Sequence, residues 1–126
     1  MSDVKRVLLA EDDRFLRKAA ESTLRSEGFT VVTAVDGEAV LQRAFEMPPD
    51  LILLDLIMPK LHGFDVLRAL KADPRTSEIP VIVLSNLGQG DDVETAMALG
   101  AISYCVKTNL SLQELTKRVH ETLAAV

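Results

Sequence analysis

The chain has a single cysteine, no apolar run of membrane-spanning length and no surplus of positive charge. Cys105 has no partner for an internal disulfide; inside an apolar run it reads as a small buried hydrophobe, and a thiol-reducing cytoplasm is the expected setting. A bilayer-spanning helix takes about 20 apolar residues in a row. The runs here are far shorter, and the opening Met1-Ser2-Asp3-Val4-Lys5-Arg6 leads into a strand without a signal-peptide hydrophobic region. Membrane insertion and export are therefore not expected. With 14 Lys and Arg against 19 Asp and Glu, the net charge of -5 offers no clustered cations for nucleic-acid phosphates or an anionic bilayer. Neither direct nucleic-acid binding nor a membrane partner is expected. No repeat, low-complexity tract or linker marks a boundary. At 126 residues and 48% hydrophobic composition, residues 1–126 are expected to form one domain with a substantial core, and no output domain in this chain.

What the chain does contain is a regular alternation of strand and helix patterns. Lys5 to Ala10 reads as a first strand. Asp13 offers an N-cap to a helix on which Phe15, Leu16, Ala19, Ala20, Thr23 and Leu24 recur at helical spacing until Gly28 stops it. Thr30 to Ala34 is a second strand, and Asp36 caps a helix carrying Ala39, Val40, Ala44 and Phe45 that Pro48-Pro49 ends. Leu51 to Leu54 is a third strand, followed by a loop from Leu56 to His62 and a helix whose Phe64, Leu67 and Leu70 share a face as far as Asp73-Pro74. Pro80 to Leu84, the flexible run Gly88-Gln89-Gly90, and a helix capped by Asp91 with Glu94 three residues later come next, closed by Gly100. Ile102 to Val106 is the last strand, and Ser111 with Glu114 forms a capping box for the last helix. Strict alternation implies right-handed crossovers and a doubly wound α/β fold, a five-stranded parallel sheet covered by helices on both faces.

Four of the apolar runs stop at reactive side chains. Val7 to Ala10 ends at Glu11 and Asp12, Leu51 to Leu54 at Asp55, Val81 to Leu84 at Ser85, and Ile102 to Val106 at Lys107. In open parallel sheets ligands bind just beyond the carboxyl ends of the strands. If the strand order is 2-1-3-4-5, the strands bearing these groups are neighbours and all five line one crevice. Singly, each residue has a plainer role: Asp55 as a cap or loop residue, Glu11-Asp12-Asp13 as an acidic first helical turn, Lys107 on the surface, Ser85 in a turn, Tyr104 as an edge aromatic. Independent accidents do not place all of them in register. His62 and His120 have no partner pattern for metal or catalysis and read as surface residues, while Met47, Met58 and Met97 read as packing.

Glu11-Asp12, Asp55 followed by Met58-Pro59 and Gly63, then Ser85, Tyr104 and Lys107, resemble the signature of the receiver domain of two-component response regulators, and the match spans essentially the whole chain. The resemblance implies a flavodoxin-like (βα)5 fold with the strand order 2-1-3-4-5, and a single-domain arrangement similar to the chemotaxis regulators. It implies that Asp55 accepts a phosphoryl group from a histidine kinase or phosphotransfer protein, with Ser85 and Lys107 completing the catalytic set. Magnesium, or manganese in its place, would be held by Glu11 (mainly through a water), Asp12, Asp55 and the backbone carbonyl of Ile57. A carboxylate and a phosphoryl group repel each other, and a hard cation with oxygen ligands removes that obstacle. Lys107 would pair with Asp55 before transfer and with a phosphoryl oxygen after it. Ser85 drawn toward the phosphate would let Tyr104 turn inward, changing the surface of the fourth helix, fifth strand and fifth helix that a downstream protein target reads. Such a chain is a phosphoacceptor rather than an enzyme acting on other molecules.

The pattern also departs from the family. Thr108 stands where proline usually follows the lysine. A non-proline cis bond costs about 2.5 to 4 kcal/mol, so the loop is expected to be either trans and rearranged or strained. Asn86 replaces the usual small residue after the hydroxyl, narrowing access to Asp55. Ile57 and Leu87, both apolar, flank the path of water to the phosphoryl group, and slow self-dephosphorylation is the expectation. Two alternatives stand beside the phosphorylation switch. One is a receiver-like interaction module that no longer needs phosphate. The other, a flavin or nucleotide binder, lacks the Gly-rich loop after the first strand that it would require.

Overall fold

The computed structural model describes residues 4–86 and 90–126. Along these residues β1 (Arg6–Ala10), α1 (Arg14–Ser26), β2 (Thr30–Ala34), α2 (Gly37–Glu46) and β3 (Leu51–Asp55) form the first half. The second half is α3 (Gly63–Ala72), β4 (Val81–Ser85), α4 (Gly90–Ala98), β5 (Ser103–Val106), a 3-10 turn (Lys107–Asn109) and α5 (Leu112–Ala125). The five strands are parallel in the order β2-β1-β3-β4-β5. This is the doubly wound, flavodoxin-like arrangement expected, and it sets β1 beside β3 and β3 beside β4.

Alternation along the strands builds two cores. Leu8, Ala10, Ile52, Leu54, Val81 and Val83 face one layer with Val40, Ala44, Val66, Leu67, Leu70 and Ala96 from α2, α3 and α4. Val7, Leu9, Leu51, Leu53, Ile82, Leu84 and Cys105 face the other, against Ala20, Leu24, Leu115 and Val119 from α1 and α5. Both faces are therefore dry, which is why the strands read as continuous apolar runs. Cys105 is buried here, as expected.

The helix starts follow their caps. Asp13 accepts from the Leu16 N–H, Asp36 from Ala39 and Ser111 from Glu114, and Gly28 ends α1 at a φ of 96° that side chains avoid. Some expectations need correction. Phe15, assigned to the core side of α1, is 89% exposed, and Ala19 is exposed too, because the buried stripe of this helix runs through Ala20 and Leu24. Met47 and Met97 are exposed rather than packed, while Met58 is buried. Asp91 is not the cap of α4: the helix includes Gly90, so Asp91 and Asp92 occupy its first turn, where carboxylates favour the helix dipole. Of the expected flexible run Gly88-Gln89-Gly90, Gly88 and Gln89 lie outside the described residues, while Gly90 belongs to α4.

Candidate functional site

Side-chain parity assembles the site before any contact is measured. Counting on from Val7 and Leu9, from Leu51 and Leu53, and from Cys105, the residues Glu11, Asp55 and Lys107 all fall on the α1/α5 side at the carboxyl edge. Glu11 and Asp55 are buried, and Lys107 reaches both: its Nζ lies 2.5 Å from Glu11 Oε1 and donates to Asp55 Oδ2 at 3.0 Å. Asp55 Oδ1 accepts the Ile57 N–H at 3.2 Å, and Glu11 Oε2 accepts the Asp13 N–H at 3.1 Å. Oxygens of Glu11, Asp12 and Asp55 lie within 4.8 Å of one another, the one group of acidic, histidine or cysteine side chains among the described residues arranged to hold a metal.

The electrostatics are those of an under-neutralised cluster. Burial raises the Glu11 carboxyl above its ordinary value; the Lys107 contact and the Asp13 N–H pull it back, and the Asp55 charge adds to the rise. Burial acts to lower Lys107, but its contacts with Glu11 and Asp55 outweigh it, so the ammonium holds its proton above the usual lysine range. One ammonium faces three carboxylates. Glu11 Oε1 is also buried without a well-aligned hydrogen bond, its close neighbour being the Lys107 charge. An all-oxygen set with an excess of negative charge fits a hard divalent cation.

The loop after Asp55 is fixed from two sides. Leu56 N–H donates to Leu84 O at 3.2 Å, and Gly63 N–H to Leu56 O at 2.8 Å. At Gly63 a Cβ would sit 2.6 Å from Leu56 Cα. From α2, Gly37 N–H donates to Pro59 O at 3.2 Å, and a Cβ there would meet Leu61 Cβ at 2.5 Å. Lys60 adopts φ 75° while its ammonium lies 3.7 Å from the helix-capping Asp36. Gly37 and Lys60 were not singled out by sequence reasoning, since Asp36-Gly37 reads only as a helix start.

Asp55, Glu11, Asp12, Ile57, Lys107, Asn86 and Thr108 border one open cleft of about 510 Å³, completed by Asp13 and Leu16. Ile57, 54% exposed, stands at its mouth. Leu87 lies outside the described residues. Ser85 is fully buried; it shares parity with Val81 and Val83 and so belongs to the opposite face from Lys107. Tyr104, half-buried, packs against that same layer, and the register pairs Val83 with Tyr104 and Ser85 with Val106. No cis peptide bond occurs among the described residues, so the Lys107–Thr108 bond is trans and the chain turns through the 3-10 segment Lys107–Asn109 instead. His62 caps α3, its Nδ1 accepting the Phe64 N–H at 3.0 Å, and His120 lies 3.1 Å from Glu27. Neither joins the acidic cluster.

Comparison with known proteins decides the family. The model of the response regulator receiver domain matches residues 7–120. The chain belongs to that family. Phosphorylation on an aspartate is the receiver domain's function, and this receiver's parallel sheet is the one its relatives share. It is 42% identical over 118 residues to the transcriptional regulatory protein PrrA of Mycobacterium tuberculosis, covering 94% of this chain and 49% of that protein. It is 37% identical over 118 residues to the DNA-binding dual master transcriptional regulator RpaA of Synechocystis, covering 94% of this chain and 48% of that protein. Among solved structures, the Mn(2+)-bound form of response regulator Rcp1 superposes with a TM-score of 0.80 at 31% identity, covering 91% of this chain and 88% of that one. The receiver thus spans about half the length of the curated relatives it matches.

These relatives correct one expectation. Nucleic acid was excluded on the net charge of -5, yet the similar proteins include a DNA-binding regulator and other transcriptional regulators. The charge of a receiver bounds only that receiver's own surface. It carries no information about what the longer proteins touch through their remaining half. Among the described residues no helix is long and apolar enough to cross a membrane.

Proposed function

We propose that Asp55 is the phosphoacceptor of this receiver, supplied by a histidine kinase or histidine phosphotransfer protein. The observation that carries this reading is the contact of one half-buried ammonium, Lys107, with both Asp55 and Glu11 at the edge of an open cleft. A carboxylate oxygen of Asp55 forms the new P–O bond as the P–N bond to the donor histidine breaks and the imidazole leaves with the bonding pair. Asp55 cannot retreat, because the Ile57 N–H and Lys107 hold its two oxygens apart in fixed directions. Lys107 then turns to a phosphoryl oxygen, a charge-assisted contact worth on the order of 1.5 to 3 kcal/mol. Glu11 (mainly through a water), Asp12, Asp55 and the Ile57 carbonyl would hold magnesium or manganese, which would supply neutralisation of the negative charge that opposes transfer. The manganese-bound form of the similar Rcp1 supports an ion of this class.

Ser85 and Tyr104, on the same face of adjacent strands, form the switch: Ser85 donates to the phosphoryl group, Tyr104 turns toward the space it leaves, and α4, β5 and α5 present the altered surface to a downstream protein. Residues 1–126 act as one receiver domain in the cytoplasm, an acceptor that catalyses only its own phosphorylation and dephosphorylation. Ile57, with Leu87, slows attack by water. Incubation with acetyl phosphate and magnesium, followed by intact mass, is expected to add one phosphoryl group to the wild type and none to Asp55→Asn. A wild type that gains nothing would instead favour a phosphate-independent interaction module. A phosphorylated lifetime of only seconds, with magnesium and no phosphatase, would overturn the role given to Ile57 and Leu87.

A further inference from the structure

The two acidic residues after β1 are held by a cation that faces their backbones rather than their carboxylates. Arg17, one turn into α1, donates through Nη1 to the carbonyl oxygen of Glu11 at 3.0 Å and to that of Asp12 at 3.2 Å. These carbonyls lie beyond Ala10, where β1 ends, so the sheet ladder does not reach them. The other contacts of this turn come from different directions. Glu11 N–H donates to Ala34 O at 3.0 Å, Asp13 N–H donates to Glu11 Oε2 at 3.1 Å, and Arg17 N–H donates to Asp13 O at 2.9 Å. Arg17 is thus the one side chain among the described residues whose hydrogen bonds tie the peptides of Glu11 and Asp12 to α1.

Resting on the metal-site reading above, we infer that Arg17 is a positioning residue for the divalent cation, clamping the Glu11-Asp12 turn so that its carboxylates converge with Asp55. Charge and geometry give opposite signs here, which makes the role decidable. As a positive charge near a cation site, Arg17 should weaken metal binding, and its removal should tighten it. As a clamp it should strengthen binding, because a freed turn of three consecutive acids must be ordered again when the ion enters. Geometry outweighs charge: the guanidinium is partly solvated and its field is screened, whereas two hydrogen bonds to adjacent carbonyls fix the turn directly.

The test is calorimetric titration of magnesium chloride into the wild type, Arg17→Met, Arg17→Lys and Arg25→Met at fixed pH and ionic strength, with thermal unfolding of each protein without magnesium. Arg25, on the same helix, donates to Val31 O and Glu21, so its variant controls for loss of α1 stability alone. The magnesium dissociation constant is expected to rise on the order of tenfold in Arg17→Met, the scale of lost supporting contacts around a metal. Arg17→Lys, which keeps the charge but not the fork, is expected to bind more weakly than wild type and more tightly than Arg17→Met. Arg25→Met should melt earlier with its magnesium affinity unchanged. Affinity equal to or tighter than wild type in Arg17→Met overturns the inference; should that variant fail to fold, wild-type affinity in Arg17→Lys does so. A wild type that binds no magnesium removes the metal site itself, a result distinct from any failure of Arg17.

Discussion

At the scale of single residues, the site depends on positions that lack side chains as much as on those that carry charge. Gly63 lets α3 approach the Leu56 backbone beside Asp55, and a methyl group there would sit 2.6 Å from Leu56 Cα. Gly63→Ala is expected to destabilise the protein by about 1 to 3 kcal/mol through overpacking, read as a lower urea midpoint at unchanged slope; an unchanged midpoint would contradict that packing. Asp73 tests the electrostatics independently of the cleft. Hydrogen bonds from the Arg75 side chain and backbone hold its carboxyl down to about 2, and Arg75 in turn lies over the Phe45 ring. With a folded value below the unfolded 3.8, the stabilisation is present above 3.8 and lost as pH falls through about 2. Carboxyl NMR is expected to find Asp73 titrating near 2, and a midpoint near that of a free aspartate would refute the pairing. Asp55, Glu11, Asp12 and Lys107 were legible because their chemistry stands in the sequence at the ends of apolar runs. Arg17 and Gly37 were not, because they act on backbone carbonyls that leave no pattern in residue types.

At the scale of elements, caps and strand parity carried most of what the sequence could say. Asp13, Asp36 and Ser111 begin their helices as expected, and the capping side chains satisfy amides that a helix leaves unpaired. Ser111→Ala is expected to cost about 1 kcal/mol, the typical loss of a serine cap, measured by denaturant unfolding, with no change in phosphorylation rate greater than the stability change accounts for. Helical spacing alone misplaced Phe15, since an apolar residue in the first turn of α1 matches the period but lies outside the Ala20–Leu24 stripe that meets the sheet. The turn after β5 was legible only as a choice. Thr108 in place of proline left a trans rearrangement or a strained bond, and the 3-10 turn at Lys107–Asn109 is the trans solution.

At the scale of the molecule, the strand order brings together residues far apart in the chain, Lys107 meeting Asp55 across 52 positions. Placing β3 between β1 and β4 brings Glu11, Asp55 and Ser85 to one edge, and Lys107 closes it from β5. Alternating strands and helices implied the layers, but the order came from family resemblance, because hydrophobic runs alone do not say which strands are neighbours. The molecular scale is also where charge misled, since a receiver's acidity says nothing of nucleic acid bound elsewhere in a longer regulator. The central claim is that Asp55 itself takes the phosphoryl group. Reduction of the acetyl phosphate-treated protein with borohydride converts an aspartyl phosphate to homoserine, and tandem mass spectrometry then locates it. The account predicts homoserine at position 55 and at no other aspartate; conversion at Asp12 or Asp13 with position 55 unchanged would contradict it.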